Sequence, residues 1–381
     1  MPNPSNNPIL KKSDTSESVY PEFFKISDST QKEKFSILKL DPRIYIYDTI
    51  QDQVKELIKI RHPNKKLTDK EISEKSLQEF NGQTLEEYGT WIFYPWSRRL
   101  VHLLDEKEFI ELRTNRNLYK ITAEERDILA KKKVGIIGLS VGQSVSLTMA
   151  IERSFGEIRI ADFDILELSN LNRIRAGIHN LGISKVKITA REIAEIDPYL
   201  KVVCYEDGIT EDNIDSFLFD GGRLDVLIDE CDSFDIKVLC REKAKKAMIP
   251  VLMEASDRGT IDIERYDLEP ERELFHGNLK GIDYLAMKSM EREERLTIIY
   301  KITGTTTLSP RMKLSLPEIG KSISAWPQLS SGVVLGGGIS ADIYRRICLN
   351  QLSISGRFFI DLETLISDDQ EESINNKTSI V

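Results

Sequence analysis

Lys132–Arg173, KKVGIIGLSVGQSVSLTMAIERSFGEIRIADFDILELSNLNR, is the stretch around which the chain is organised. Val134 to Ile137 is a short apolar strand and Gly138 to Gly142 a glycine turn. An amphipathic helix follows, then a second strand, Ile158 to Ala161, ending on Asp162. That succession is half of a nucleotide-binding βαβ unit. Gly138 and Gly142 fall where a strand becomes a helix, so backbone N–H groups and the helix N-terminus are open to a phosphate. Asp162 comes about 20 residues later, where a carboxylate can accept hydrogen bonds from ribose hydroxyls. A glycine pair after a strand is also plain turn chemistry, and the turn alone does not select a ligand.

The run after Asp162 narrows the choice. DFDILELSNLNR, an acid-aromatic-acid strand end followed by serine-asparagine-leucine-x-arginine, resembles the signature of the ubiquitin-activating-enzyme superfamily, whose bacterial members include ThiF and MoeB. The resemblance extends over most of Arg113 to Asn350. It implies an α/β fold with a doubly wound, Rossmann-like, mostly parallel sheet, and an ATP-dependent adenylyltransferase that activates a carboxylate as its acyl-adenylate. Residues GLSVGQS, ADFDILELSNLNRIRAG, ECDS and MEASDRG further resemble a bacterial branch in which such a domain, preceded by a similar aromatic module, can be fused to a nitroreductase-like domain.

Adenylation needs cations and a metal more than a nucleophile, because a polyanion and a second anion must be brought together. Arg173 and Lys185 lie 12 residues apart, after one strand end and at the next helix start. Both positions belong to the carboxyl edge of a parallel sheet, where a triphosphate would lie. Asp232 ends the strand Asp225 to Asp232 at that edge and is the candidate Mg²⁺ ligand. By the resemblance, Arg173, Lys185 and Asp232 hold the family's arginine, lysine and aspartate positions, Asp162 the ribose-binding acid and Asn170 a nucleotide contact. The resemblance also implies a homodimer in which an arginine before the first strand reaches the partner's nucleotide. Arg116 fits that placement best, with Arg113 second. Taken singly, these residues are also ordinary surface charges and strand-end caps.

Two departures from the family pattern are visible. Ser140 and Val141 stand where close relatives have glycines, so Ser140 either offers its hydroxyl to a phosphate or the backbone stands farther from ATP. No cysteine occurs between Cys240 and Cys348, where full ubiquitin-activating enzymes carry a catalytic thiol. Cys204 and Cys231 fall on expected buried strands, Cys240 in a helix facing the sheet and Cys348 near the end of the closing helix. The expectation is an adenylyltransferase without a thioester step, acting on a ubiquitin-like or sulfur-carrier protein terminus or a small-molecule acid. The rival readings are an NAD-dependent oxidoreductase and a non-catalytic scaffold of the same fold.

At 381 residues and a net charge of -9, the chain can bury a sizeable core and carries no basic face suited to nucleic acid. No secretory signal or membrane span is recognisable, which gives an expectation of a cytoplasmic protein with no membrane partner. The four cysteines form no C-x-x-C pair. Residues 1–35 read as a flexible segment, 36–112 as a small α+β module and 351–381 as a polar tail. Within the module, Thr68 and Glu71 predict a capping box, the aromatic cluster Tyr88 to Trp96 a core, and Arg99 to Leu104 with Glu108 to Leu112 a strand pair. Thr210 predicts the cap of a short helix, and Ser331 to Leu349 a glycine turn leading into the last helix.

Overall fold

The protein was analysed as a computed structural model, which describes residues 18–368. The chain divides after Thr122 into two compact parts, each with its own sheet.

The first part is built on four strands in the order β1-β3-β4-β2. In chain order its elements are β1 (Glu22–Phe24), α1 (Ser29–Leu40), β2 (Tyr45–Asp48), α2 (Ile50–Arg61), α3 (Asp69–Phe80), β3 (Thr90–Tyr94), β4 (Arg99–Leu103) and α4 (Glu106–Arg113). Ile50, Val54, Leu57 and Ile58 form the buried face of α2, as their spacing predicts. The Thr68–Glu71 capping box is present at the start of α3. Trp91 on β3 stacks on His102 of β4 at 4.1 Å, so the aromatic cluster is core.

Three boundaries differ from those expected. Phe24 and Phe35 bury themselves against Trp91, so order begins well before residue 36, and the rest of the expected flexible segment, residues 1–17, lies outside the described residues. Glu108 to Leu112 is helical rather than a strand, since Glu106 and Glu108 favour the first turn of a helix. Residues 113–122 belong to this first part.

The second part carries seven strands in the order β11-β10-β9-β8-β5-β6-β7. α5 (Ala123–Leu129) leads into β5 (Lys133–Ile137), followed by α6 (Gly142–Glu152), β6 (Glu157–Ala161), α7 (Lys185–Ile196), β7 (Lys201–Tyr205), α8 (Ile214–Phe219), β8 (Val226–Asp229), α9 (Phe234–Lys246) and β9 (Val251–Ala255). These five strands pair in parallel. The apolar runs of β5, β6, β8 and β9 are buried on both faces, as crossover helices require, while the edge strand β7 is only half-buried. The N-cap position of α8 is Asn213 rather than Thr210, without a side-chain capping bond, and the Thr210 hydroxyl accepts from Asn213 N.

β10 (Thr260–Glu264) then runs antiparallel to β9. α10 (Tyr284–Ser289), α11 (Arg292–Thr303) and α12 (Pro310–Ser315) make up the crossover, and α13 (Ser330–Cys348) returns to pack on α6. The expected tail is partly structural: β11 (Gly356–Phe359) adds to β10, and α14 (Leu362–Leu365) follows. The glycines of α13 make no turn. Gly336 and Gly337 lie inside the helix because a Cβ would meet Glu254 Cδ at 2.2 Å and Ser144 Oγ at 2.4 Å, respectively. Their absent side chains let α13 descend onto β9 and α6.

That descent buries an acid. Neither carboxyl oxygen of Glu254 has a hydrogen-bond partner, and Glu230 lies beside it with Oε1 accepting from Glu254 N at 3.0 Å. Burial raises the pKa of both, and for Glu230 repulsion from Glu254 adds to the effect. The native state therefore holds protons that the unfolded chain releases above the ordinary glutamate range, so stability falls as pH rises from there through neutrality. Glu254→Gln is expected to remove much of that fall. Urea midpoints at pH 5 and pH 8 should differ less in the variant than in wild type, by roughly 1–2 kcal/mol of unfolding free energy. An unchanged pH slope would show that Glu254 ionises freely.

Candidate active site

The order β9-β8-β5-β6 makes the gap between β5 and β8 a topological switch point, where open parallel sheets bind ligands at their carboxyl edge. Gly138 sits in that gap. Its φ is +85°, and a Cβ would lie 2.5 Å from Glu230 O at the end of β8. This is a demand of the backbone itself, independent of any phosphate. Gly142 begins α6, where a Cβ would meet Ile136 Cγ2 at 2.7 Å. No side chain caps α6, which leaves the first N–H groups of the helix available to an anion.

Asp162 holds the turn in place. Its Oδ2 accepts from Leu139 N at 2.6 Å and its Oδ1 from Asp164 N at 2.8 Å. Burial raises its pKa, offset in part by Lys185 and by those two N–H groups. The carboxylate thus ties the glycine turn to the loop after β6, and each oxygen keeps a lone pair for a hydroxyl donor.

Ser140 and Arg173 come together across 33 residues. Arg173 Nε donates to Ser140 Oγ at 2.9 Å, and Arg173 Nη1 donates to Asn172 Oδ1 at 2.9 Å. Burial lowers the Arg173 pKa while the exposed Asp232, past β8, pulls it up, so the two charges lie within electrostatic reach of each other. Lys185 starts α7 and is buried, with Nζ 2.7 Å from Asp164 Oδ2 and its backbone N donating to Asp164 O at 3.0 Å. Asn170 is turned inward: its Oδ1 accepts from Glu167 N at 3.0 Å and closes the 3-10 turn Leu168–Asn172. Ser140, Asp162, Arg173, Lys185 and Asp232 are therefore gathered at one edge. Arg116 is exposed in the 3-10 turn Asn115–Asn117 of the first part.

Three contributors escaped sequence reading. Asp164 is the ion partner of Lys185. Gln143 binds Arg175 through both its amide groups, pinning the loop that carries Arg173 to α6. Asn172 orients the Arg173 guanidinium. The second acid of D-F-D and the glutamine of GLSVGQ were visible signals, but their partners lie 21 and 32 residues away.

Three of the four thiols are not poised as nucleophiles. Burial pushes Cys231 and Cys240 well above the usual thiol range and Cys348 up to about 12. Cys231 lies just past β8 rather than within it, where its Sγ donates to Asp229 Oδ1 at 3.0 Å. A metal group of three or more acidic, histidine or cysteine side chains is absent among the described residues. A magnesium nucleotide needs less, one or two carboxylates together with phosphate oxygens and water, and exposed Asp232 fits that requirement.

Residues 112–297 match the sequence model of the ThiF family. That segment of the chain carries a ThiF-family domain. The match begins eleven residues before the second compact part does, so its first segment lies in the N-terminal part. An uncharacterised protein of Mycobacterium tuberculosis (strain CDC 1551 / Oshkosh), MT1398, is 42% identical over 282 residues, covering 74% of this chain and 39% of that protein. The tRNA threonylcarbamoyladenosine dehydratase of Bacillus subtilis (strain 168) is 22% identical over 244 residues, 61% of this chain and 95% of that one. Ubiquitin-like modifier-activating enzyme 5 of Drosophila persimilis is 29% identical over 152 residues, 36% of this chain and 38% of the fly protein. The chain thus spans well under half the length of the mycobacterial and fly relatives.

Gly138→Ala tests the switch-point geometry. With a positive φ and the Glu230 carbonyl in the way, it is expected to cost about 2 kcal/mol or more of stability, read by urea denaturation. A loss within about 0.5 kcal/mol would show that the turn relaxes away from β8.

Proposed function

We propose that this chain transfers the adenylyl group of ATP to a carboxylic acid. The observation that carries the reading is the gathering of Arg173, Lys185 and Asp232 around a turn that Asp162 anchors through Leu139 N and that Ser140 joins to Arg173. A carboxylate oxygen attacks the α-phosphorus, and an O–P bond forms. The bond from that phosphorus to the bridging oxygen breaks, and pyrophosphate leaves with the electron pair. Arg173, freed from part of its hydration by burial, meets the phosphate charge with a planar fork of donors. Lys185 supplies a second cation by exchanging Asp164 for a phosphate oxygen. Asp232 would hold Mg²⁺, which when bound neutralises phosphate charge.

With three of the four thiols buried and protonated, the adenylate passes to an external acceptor rather than to an internal cysteine. The acceptor is a carboxylate: the relatives are named for a tRNA threonylcarbamoyladenosine and for a ubiquitin-like modifier, and a sulfur-carrier protein terminus or a small acid has the same reacting group. No helix among the described residues is long and apolar enough to cross a membrane.

The reading includes a homodimer. Phe163, Leu168 and Ile178 are 74%, 68% and 72% exposed on the segment after β6, an apolar face that a second copy would cover. Arg116 would then reach the partner's nucleotide.

Calorimetry should find magnesium-dependent ATP binding that weakens at least tenfold in Asp232→Ala; binding of NAD⁺ in place of ATP would overturn the assignment. Mixing Arg116→Ala with Asp232→Ala subunits is expected to restore part of the ATP–pyrophosphate exchange that each lacks alone. Mixtures no more active than the separate variants would refute shared sites.

A further inference from the structure

A cavity of about 610 Å³ opens at the same edge of the second sheet, between the β9–β10 hairpin, α12, the first turn of α13 and the start of α14. Its size suits an organic ligand rather than a bare backbone. Three consecutive contacts join it to the candidate active site. Arg173 Nε donates to Ser140 Oγ, Arg173 Nη1 donates to Asn172 Oδ1, and Asn172 Nδ2 donates to Gln328 O at 2.9 Å, where Gln328 is part of the cavity wall. The wall and the arginine beside the glycine turn are one hydrogen-bonded structure.

Three of the charges in the wall, Asp257, Arg258 and Asp361, are already engaged, while Arg311 and Glu363, which also line it, are exposed. Asp257 accepts from Ser309 N at 2.9 Å and from Ser309 Oγ at 2.6 Å. Arg258 Nε donates to Asp361 Oδ2 at 2.7 Å and Nη1 to Thr307 O at 2.6 Å, with the guanidinium 4.9 Å from the Phe359 ring centre. Beside these charges the wall presents an apolar lining to an occupant: Met312, Leu314, Leu329, Leu335 and Leu362. Leu314 and Leu329 are 74% and 73% exposed, so their apolar surface is uncovered in this chain. Gly332, whose Cβ would stand 3.0 Å from Ser256 O, brings α13 close enough to the end of β9 to close the floor.

Resting on the adenylation reading, we propose that this cavity receives the side chain of the acid that is activated, and that the acid carries a bulky apolar group beside its carboxylate. A glycine tail would leave the leucines wet and gain nothing from them. A phenyl- or isobutyl-sized group would bury against them, an advantage on the order of ten- to a hundredfold in affinity. Such an acid is either free or the last residue of a peptide, and the chemistry of recognition is the same.

The test uses the full chain and three probes, each titrated with and without ATP and Mg²⁺: 3-phenylpropionate, a hexapeptide ending in phenylalanine, and the same hexapeptide ending in glycine. At least one phenyl probe should bind ten times more tightly than the glycine-ended peptide. Leu314→Glu, an exposed position, and Leu335→Trp, which fills the space, should each reduce that binding at least tenfold while ATP affinity is unchanged. Binding of 3-phenylpropionate alone would assign a free acid, and binding of the phenylalanine-ended peptide alone a peptide terminus. Equal or tighter binding of the glycine-ended peptide, absence of phenyl binding by a protein that binds ATP, or indifference to both variants would overturn the inference. Variant-sensitive phenyl binding without any ATP binding would retain the pocket and overturn the adenylation reading instead.

Discussion

The carboxylate of Asp162 is the contact on which the candidate site depends. One oxygen takes Leu139 N from the glycine turn and the other takes Asp164 N from the loop after β6. The bridge extends the β5–β6 pairing, whose last backbone bond runs from Gly138 N to Ala161 O at 2.8 Å, into the turn and the loop. The bridge also sets where Asp164 stands, and Asp164 in turn meets Lys185 through both its side chain and its carbonyl. A buried carboxylate that accepts backbone N–H bonds exchanges water for fixed dipoles, so its position is prescribed as long as the fold persists.

Charge is distributed unevenly beneath this edge. Asp229, at the end of β8, is fully buried, and although burial acts to raise its pKa, Lys237 and Arg241 outweigh it and hold it below the ordinary value. Arg241 also donates to Glu264 Oε2 at 2.6 Å, whose other oxygen accepts from Tyr266 and from Phe275 N. One residue further on, Glu230 has an acid for its neighbour, and the balance reverses. The β8 exit thus passes from a neutralised network to a pair of acids and then to the exposed Asp232. Removing either partner of the neutralised network would strand a buried charge, while the acid pair adjusts by keeping its protons.

Periodicity and turn chemistry made much of the architecture legible before any coordinates. The β5–turn–α6–β6 unit, the parallel alternation through β9 and the capping box at Thr68 follow from local rules that hold wherever the segment sits. The misreadings share one cause. Phe24 and Phe35 looked like isolated apolar residues in a polar stretch, and only Trp91 gives them a core to join. The Gly336–Gly338 run looked like a turn because glycine is a helix breaker in isolation, and only the proximity of Glu254 and Ser144 makes it the residue a tight helix contact requires. β11 is four residues whose strand character comes entirely from pairing with β10.

The residue types at Gly138, Asp162, Arg173, Lys185 and Asp232, with their places at strand ends and helix starts, were determined by the sequence itself, because a parallel α/β order sends every such position to one edge. Which of them touch was decided only by the tertiary structure. Ser140 meets Arg173, Asp164 meets Lys185, and Asn172 meets Gln328 across 156 residues. The cavity beside them exists only because α12, α13 and the chain after β11 arrive from distant parts of the sequence. Side-chain contact is a property of where the backbone brings two residues, and loops of such length carry no local pattern that encodes it.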